Sequence, residues 1–152
     1  MALIKEFPPD GVVTINRVIL KPEYTIDDLE ERVAELCEHV KTYHSIDGFI
    51  GGFVLMNAGM ISKEGSTVED KTVSPLKDRE ALIVTFWESF EQHEKSHRSE
   101  GFQKLFERVL ELCENGNEEI AYTMLWQGKA YDPETAKKAM EVKKEYTACE
   151  TC

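Results

Sequence analysis

The chain has 152 residues, of which 41% are hydrophobic and 31% are charged, and its formal net charge is −11 at pH 7. This composition is typical of a folded globular domain and not of a disordered chain. The negative charge argues against a nucleic-acid partner, and no apolar run approaches the roughly 20 residues that span a bilayer. The N-terminal segment also lacks the apolar region of a secretory signal. We therefore expect a cytoplasmic protein with no membrane or nucleic-acid partner.

The four cysteines are too few and too widely spaced for a disulfide framework, so we expect reduced thiols. Cys149 and Cys152 form a C-x-x-C sequence close to the chain end. The simpler interpretation of this pair is two incidental cysteines in a terminal tail.

The first part of the chain predicts a strand, a helix and a second strand. Residues 12–20 (VVTINRVIL) are a β-branched run after the turn sequence PPDG, which indicates a strand. Thr25 is a candidate N-cap for a helix whose apolar residues recur at helical spacing as far as Val40, and Gly48 follows it. Residues 48–61 (GFIGGFVLMNAGMI) predict the second strand, and its glycines indicate a bulge or a close backbone approach.

The middle of the chain predicts a long connection, a buried strand and a helix. The connection, residues 61–80, is polar and turn-rich with some hairpin character. Residues 81–87 (ALIVTFW) are continuously apolar and therefore predict a central strand. The helix covers residues 88–117, and Gly101 favours a break or kink within it.

A fourth strand (118–128) and a surface helix (132–146) complete the order β-α-β-β-α-β-α. This order predicts an α+β, ferredoxin-like fold, the split βαβ arrangement. We expect one domain over residues 1–152, with a core at about 12–128 and a C-terminal helix and tail at 129–152. Helices cover only one face of such a sheet. We therefore expect a homodimer or higher homo-oligomer in which two sheets pair as an α/β barrel.

The most informative motif is H-E-K-S-H, which begins at His93 and ends at His97 and matches the helical zinc motif H-E-x-x-H. On a helix the two imidazoles lie one turn apart on one face, so both can reach one metal ion. Both also lie beside Phe90, at the margin of the apolar face. The simpler interpretation is a solvated helix, in which Glu94 pairs with Arg98.

A metalloprotease fits this sequence poorly, because neither the metzincin extension nor a helix with a third ligand follows the motif. Glu118 and Glu119 open the fourth strand, which follows the helix directly and brings them near the same cavity. Two histidines and one carboxylate form the facial triad of non-haem Fe(II) sites, with open positions for O₂ and a small-molecule substrate. The same ligand set occurs in catalytic zinc sites, so zinc is an alternative occupant. For either glutamate alone, an exposed charge at a strand end is the simpler interpretation.

The segment TFWESFEQHEKSH resembles the dimeric α/β-barrel superfamily that includes antibiotic-biosynthesis-type monooxygenases and haem-degrading enzymes. Within that superfamily it is most similar to sulfur oxygenase reductase, in which a strand ending Thr-Phe-Trp precedes a helix with H-E-x-x-H. Residues 44–53 (HSIDGFIGGF) also resemble that family's H-P-G-F-x-G-F stretch, with an insertion. That family fuses two barrel halves, so a homodimer would replace the fusion here.

The resemblance implies a mononuclear non-haem iron site with the ligands His93, His97 and Glu118. Glu118 is preferred to Glu119 because the family's ligand lies two residues before an isoleucine. It further implies O₂-dependent oxidation of a sulfur species such as elemental sulfur, polysulfide or a persulfide.

The family's essential cysteine lies at the end of the first helix, where this sequence has Val40. Cys37, one turn earlier, is the candidate catalytic cysteine. The simpler interpretation of Cys37 is that it is a small residue on the buried face of the helix. Two other functions stay open. A metal-free or haem-binding monooxygenase would line its pocket with Trp87 and one histidine. Phe90 is a further candidate for the cofactor-binding or substrate cavity, which it would keep apolar. A non-enzymatic binding module would use the barrel only for dimerisation.

Overall fold

The computed structural model of the protein describes residues 7–149, with side chains given up to residue 146. The C-x-x-C pair and the first six residues lie outside this description. In chain order the strands are β1 (Val12–Ile19), β2 (Phe49–Met56), β3 (Met60–Ile61), β4 (Thr67–Val68), β5 (Glu80–Trp87) and β6 (Glu119–Thr123). The helices are α1 (Ile26–His44), α2 (Phe90–His97), α3 (Glu100–Leu110) and α4 (Pro133–Cys149).

The main sheet has the strand order β2-β5-β1-β6 and is antiparallel throughout. Strand β5 is central, as its continuous apolar sequence predicted. The long connection between β2 and β5 contains the separate β3–β4 hairpin. The arrangement is the predicted ferredoxin-like α+β fold.

Helices α1 and α3 cover one face of the sheet. Alternate residues of β1 point towards these helices and are buried, as the period of a strand requires. Their apolar members pack against one continuous stripe of each helix. This core consists mainly of Val18, Ala81, Ile83 and Trp87 from the sheet, Leu29, Val33, Leu36 and Val40 from α1, and Phe102, Phe106 and Val109 from α3.

The opposite face of the sheet is apolar but is only partly covered. Phe7, Val84 and Phe86 form a small buried cluster there. Near the edge strand, Ile120 and Tyr122 are each about half exposed. This face therefore presents apolar side chains that the helices of the same chain do not bury.

The break in the second helical region lies at Arg98 and Ser99 and not at Gly101. Ser99 is the N-cap of α3, because its hydroxyl accepts a hydrogen bond from the Phe102 amide. Gly101 has a different role, since a Cβ at this position would lie 2.7 Å from His39 Cε1. The glycine thus permits the close approach of α1 to α3.

Helix α4 extends from β6 with almost every side chain from Pro133 to Tyr146 exposed. Within residues 7–149, no helix is long and apolar enough to cross a membrane. The predicted surface helix is therefore confirmed in its position and its exposure.

Leu112 and Ile46 test the position of the core. Leu112 is 0% exposed beneath α1 and α3, whereas Ile46 is 92% exposed. We expect Leu112→Ala to lower the free energy of unfolding by about 2–5 kcal/mol, because it leaves a cavity in a packed core. Ile46→Ala should change it by less than about 0.5 kcal/mol. Denaturant unfolding followed by circular dichroism measures both values, and equal losses in the two variants would contradict this core.

Candidate metal centre and its cavity

Helix α2 places the two histidines of the H-E-K-S-H motif side by side. The helix begins at Ser89, whose hydroxyl accepts a hydrogen bond from the Gln92 amide. The ring centroids of His93 and His97 are 4.3 Å apart, and their Nε2 atoms are 2.9 Å apart. His93 is only 2% exposed, so this pair is not part of a solvated helix surface.

Glu119, the first residue of β6, brings a carboxylate to the two imidazoles. Its Oε2 lies 3.3 Å from His93 Nε2, and its Oε1 lies 3.6 Å from His97 Nε2. The ligand atoms of these three residues all lie within 4.8 Å of one another. No other set of three or more His, Cys, Asp and Glu side chains converges in this way among the described residues.

Glu118, the predicted third ligand, does not reach the histidines in this structure. Its Oε2 accepts a hydrogen bond of 3.0 Å from Asn115 Nδ2 and lies 3.6 Å from Arg17 Nη1. Successive side chains of a strand point to opposite faces, so only one of two adjacent glutamates can face α2. The carboxylate that the structure brings to the histidines is that of Glu119, one residue after the predicted position.

The separations within the cluster fit one first-row metal ion. Ligand atoms at about 2.1 Å from a common ion are about 3.0 Å apart at right angles and about 3.4 Å apart at tetrahedral angles. The observed 2.9, 3.3 and 3.6 Å lie close to these values. Two imidazole nitrogens and a carboxylate are also ligands that iron and zinc accept. Without an ion, the nitrogens form an imidazole–imidazole hydrogen bond, in which one ring donates and the other accepts.

The electrostatic environment favours a neutral imidazole at His97. Burial lowers the pKa of His97, and the charge of Glu119 opposes this effect only in part. A neutral imidazole keeps a lone pair that can bind a metal ion. Glu94 Oε1 lies 3.3 Å from His93 Nδ1, without the alignment of a hydrogen bond. The glutamate of the motif therefore faces His93. The solvated-helix interpretation had paired it with Arg98.

A cavity of about 670 Å³ opens beside the cluster, between α1, strands β2 and β5, and helices α2 and α3. This volume is in the range of small-molecule sites. His93, His97 and Glu119 form part of its wall. The apolar part of its lining includes Leu36, Val40, Phe49, Ile83, Trp87, Phe102 and Phe106.

The structure separates the two aromatic residues that were predicted to line a cofactor or substrate pocket. Trp87 is 2% exposed, lines the cavity and packs edge-on against His93, with ring centroids 5.5 Å apart. Phe90 also stacks on His93, with ring centroids 6.2 Å apart, but it is 53% exposed and lies outside the cavity lining. Phe90 therefore faces solvent. It occupies the first turn of the short helix α2.

Cys37 lies on α1 and lines the same cavity as the cluster. The residue is partly buried, and this burial raises the pKa of its thiol. The thiolate is the nucleophilic form of cysteine, so the environment disfavours an activated Cys37 near neutral pH.

Asn16 is a residue of this cavity that the sequence analysis missed. It is buried on the helix-facing side of β1 and pairs in register with Glu119 of β6. The sequence did carry a signal for Asn16, which is its position in the alternating pattern of β1. Val12, Thr14, Asn16 and Val18 share the buried face of β1, and an amide at such a position departs from an apolar core.

No protein-family model matches the chain, and no curated protein matches it. Solved structures do share its fold. SnoaB, a cofactor-independent oxygenase from Streptomyces nogalater, has a TM-score of 0.58 at 15% identity over 80% of this chain and 99% of its own. A Nitrosomonas europaea protein provisionally classed as an antibiotic biosynthesis monooxygenase gives 0.56 at 11% identity over 82% and 100%. Hydroxynitrile lyase from Passiflora edulis gives 0.56 at 10% identity over 80% and 100%.

At these identities the likeness establishes a shared fold and leaves the chemistry open. The predicted ferredoxin-like fold is thereby confirmed.

The reactivity of Cys37 tests its environment. We expect iodoacetamide to alkylate Cys37 of the folded protein more slowly than free cysteine near neutral pH, because burial raises its pKa and shields its sulfur. The half-maximal rate should be reached at a higher pH than for free cysteine. Peptide mass spectrometry measures the rate at this residue, with the urea-unfolded chain as the control. Equal rates in the folded and unfolded protein at every pH would contradict the assigned environment.

Proposed function

We propose that this protein is an oxygenase that acts on an apolar small molecule in the cavity beside His93, His97 and Glu119. The observation that carries the proposal is the convergence of two imidazole nitrogens and one carboxylate on the wall of this cavity. Such a site combines polar groups in one corner with apolar walls, which is the usual composition of a small-molecule site. The shared fold with SnoaB, itself an oxygenase, adds support.

We further propose that His93, His97 and Glu119 hold a single iron ion. Iron(II) bound by two imidazoles and one carboxylate supplies open coordination positions for O₂ and substrate. The protein supplies the rest of the arrangement. Burial keeps His97 neutral, and the carboxylate contributes one negative charge to balance the cation. Zinc fits the same ligands and is the alternative ion.

The other cavity residues bind and shield the substrate. The apolar walls remove a substrate's hydrophobic surface from water, and they strengthen the electrostatic interactions of the polar corner by excluding water from it. Asn16, opposite Glu119 in the sheet, offers an amide that can donate or accept a hydrogen bond there. These residues orient a bound molecule relative to the cluster.

The resemblance to sulfur oxygenase reductase supports a sulfur species as the substrate. Elemental sulfur is apolar and suits the walls of this cavity better than a strongly charged anion does. Cys37 is then the catalytic candidate on the wall, as a thiol that contacts the sulfur chain. Because burial raises the pKa of Cys37, the thiol must first be deprotonated if it is to act as a thiolate.

A metal-free monooxygenase is the second candidate, because SnoaB is a cofactor-independent oxygenase of the same fold. In this case Trp87 and the apolar walls hold the substrate. The hydrogen-bonded His93–His97 pair then takes up or releases a proton at Nε2. The two candidates make opposite predictions for chelator-treated protein.

We also propose that the open face of the sheet is covered by a second copy of the chain. Ile120 and Tyr122 of β6 are about half exposed there, beside the cluster of Phe7, Val84 and Phe86. Pairing two such faces would bury these side chains and close two sheets into a barrel.

Metal binding by neighbouring glutamate variants tests the iron proposal. After anaerobic reconstitution with Fe(II), we expect wild type to retain one iron per chain. Glu119→Gln should weaken iron binding by at least about 100-fold, because it removes the anionic ligand. Glu118→Gln is the matched control and should bind iron as wild type does, since its carboxylate faces Arg17. Elemental analysis after gel filtration gives the stoichiometry, and titration gives the affinity.

O₂ uptake by the same proteins in the presence of dispersed elemental sulfur separates the candidates. Uptake that requires iron and is lost in Glu119→Gln supports the iron oxygenase. Uptake that persists after chelation supports the metal-free oxygenase and excludes the iron proposal. Equal iron affinity in Glu118→Gln and Glu119→Gln would contradict the proposal that Glu119 is a ligand.

A further inference from the structure

We propose that Thr85 is a positioning residue for the metal centre and that it acts through Trp87 on His93. This inference rests on the proposed function of the cluster. Thr85 is an inward-facing residue of the central strand β5, within the run ALIVTFW. It also lines the cavity, but its proposed role is exerted through Trp87 and not through contact with a substrate.

The hydroxyl of Thr85 lies in a short chain of partly buried hydrogen bonds. Trp87 Nε1 donates to Thr85 Oγ1 at 2.8 Å, and Thr85 Oγ1 lies 2.7 Å from Thr14 Oγ1. The indole nitrogen can only donate, so Thr85 must accept this bond. Either threonine hydroxyl can supply the proton between the two. Thr14 is 1% exposed, so the chain is anchored in the interior of β1.

This hydrogen bond fixes the rotation of the Trp87 ring. The indole is 2% exposed, so its N–H has no access to bulk water and depends on Thr85 as its acceptor. Leaving such a donor unpaired costs free energy that another ring orientation could recover. Phe49 packs edge-on against the same ring, with centroids 5.2 Å apart, and limits the other rotations.

The fixed indole in turn contacts a metal-ligand candidate. The ring planes of Trp87 and His93 are 81° apart and their centroids are separated by 5.5 Å, which is the preferred edge-to-face geometry. His93 Nδ1 has no aligned hydrogen-bond partner among the described residues. The imidazole is held at Nε2 by its contacts with His97 and Glu119. Ring packing against Trp87 and Phe90 supplies the remaining restraint, so a rotation of Trp87 would disturb the orientation of His93.

Thr85→Val and Thr85→Ser test the inference. Valine keeps the β-branched shape and removes the acceptor, whereas serine keeps the hydroxyl. Thr123→Val is the matched control, because Thr123 is an exposed strand threonine at the end of β6. We expect Thr85→Val to weaken Co(II) binding, followed by visible absorption, by about three- to tenfold. Thr85→Ser and Thr123→Val should stay within about twofold of wild type.

Nitrogen-15 NMR of the metal-free protein gives a readout that does not depend on metal. The chain has two tryptophans and four histidines, so the indole and imidazole signals are few. In Thr85→Val we expect the Trp87 indole N–H signal to move and the His93 ring signals to shift or broaden, with recovery in Thr85→Ser. Unchanged His93 signals and unchanged Co(II) affinity in Thr85→Val would overturn the inference. If wild type binds no metal while the His93 signals still respond, the iron proposal fails and the positioning role of Thr85 on His93 stands.

Discussion

The burial of His93 is the constraint on which the rest of the candidate site depends. An imidazole that is 2% exposed needs partners from the protein, because an unpaired buried polar group costs about 1–3 kcal/mol. The fold supplies these partners from two elements, His97 from the next turn of α2 and Glu119 from the start of β6. The short α2 ends immediately after His97, and α3 then leaves at its own N-cap, Ser99. This break lets α2 direct its histidines at the sheet while α3 packs in the core.

The chemistry of the cluster follows from where the sheet carries polar residues on its helix-facing side. Thr14, Asn16 and Thr85 interrupt an otherwise apolar surface, and Glu119 continues this polar group on β6. Asn16, Thr85 and Glu119 line the cavity, and Thr14 is hydrogen-bonded to Thr85. Apolar residues of the same face form the core. The core and the candidate site therefore both draw side chains from this one face of the sheet. The comparison structures include an oxygenase and a hydroxynitrile lyase on this fold, so it is the site residues that determine the reaction.

Much of this organisation could be predicted from the sequence, because it follows from local periodicity. The alternation in β1, the continuous apolar run of β5 and the i, i+4 spacing of the histidines each depend on a few neighbouring residues. The choice between Glu118 and Glu119 could not be predicted. It depends on how the turn after α3 brings the chain into register with β1, and a shift of one residue reverses the face. The position of the helix break and the place of Asn16 in the cavity likewise depend on tertiary packing.

X-ray diffraction at the iron absorption edge, on crystals of the protein reconstituted anaerobically with Fe(II), shows whether one metal ion binds between His93, His97 and Glu119. We expect one anomalous peak per chain, within bonding distance of Nε2 of both histidines and of the Glu119 carboxylate. No peak at this cluster, or a peak at other side chains such as Glu118, would contradict it.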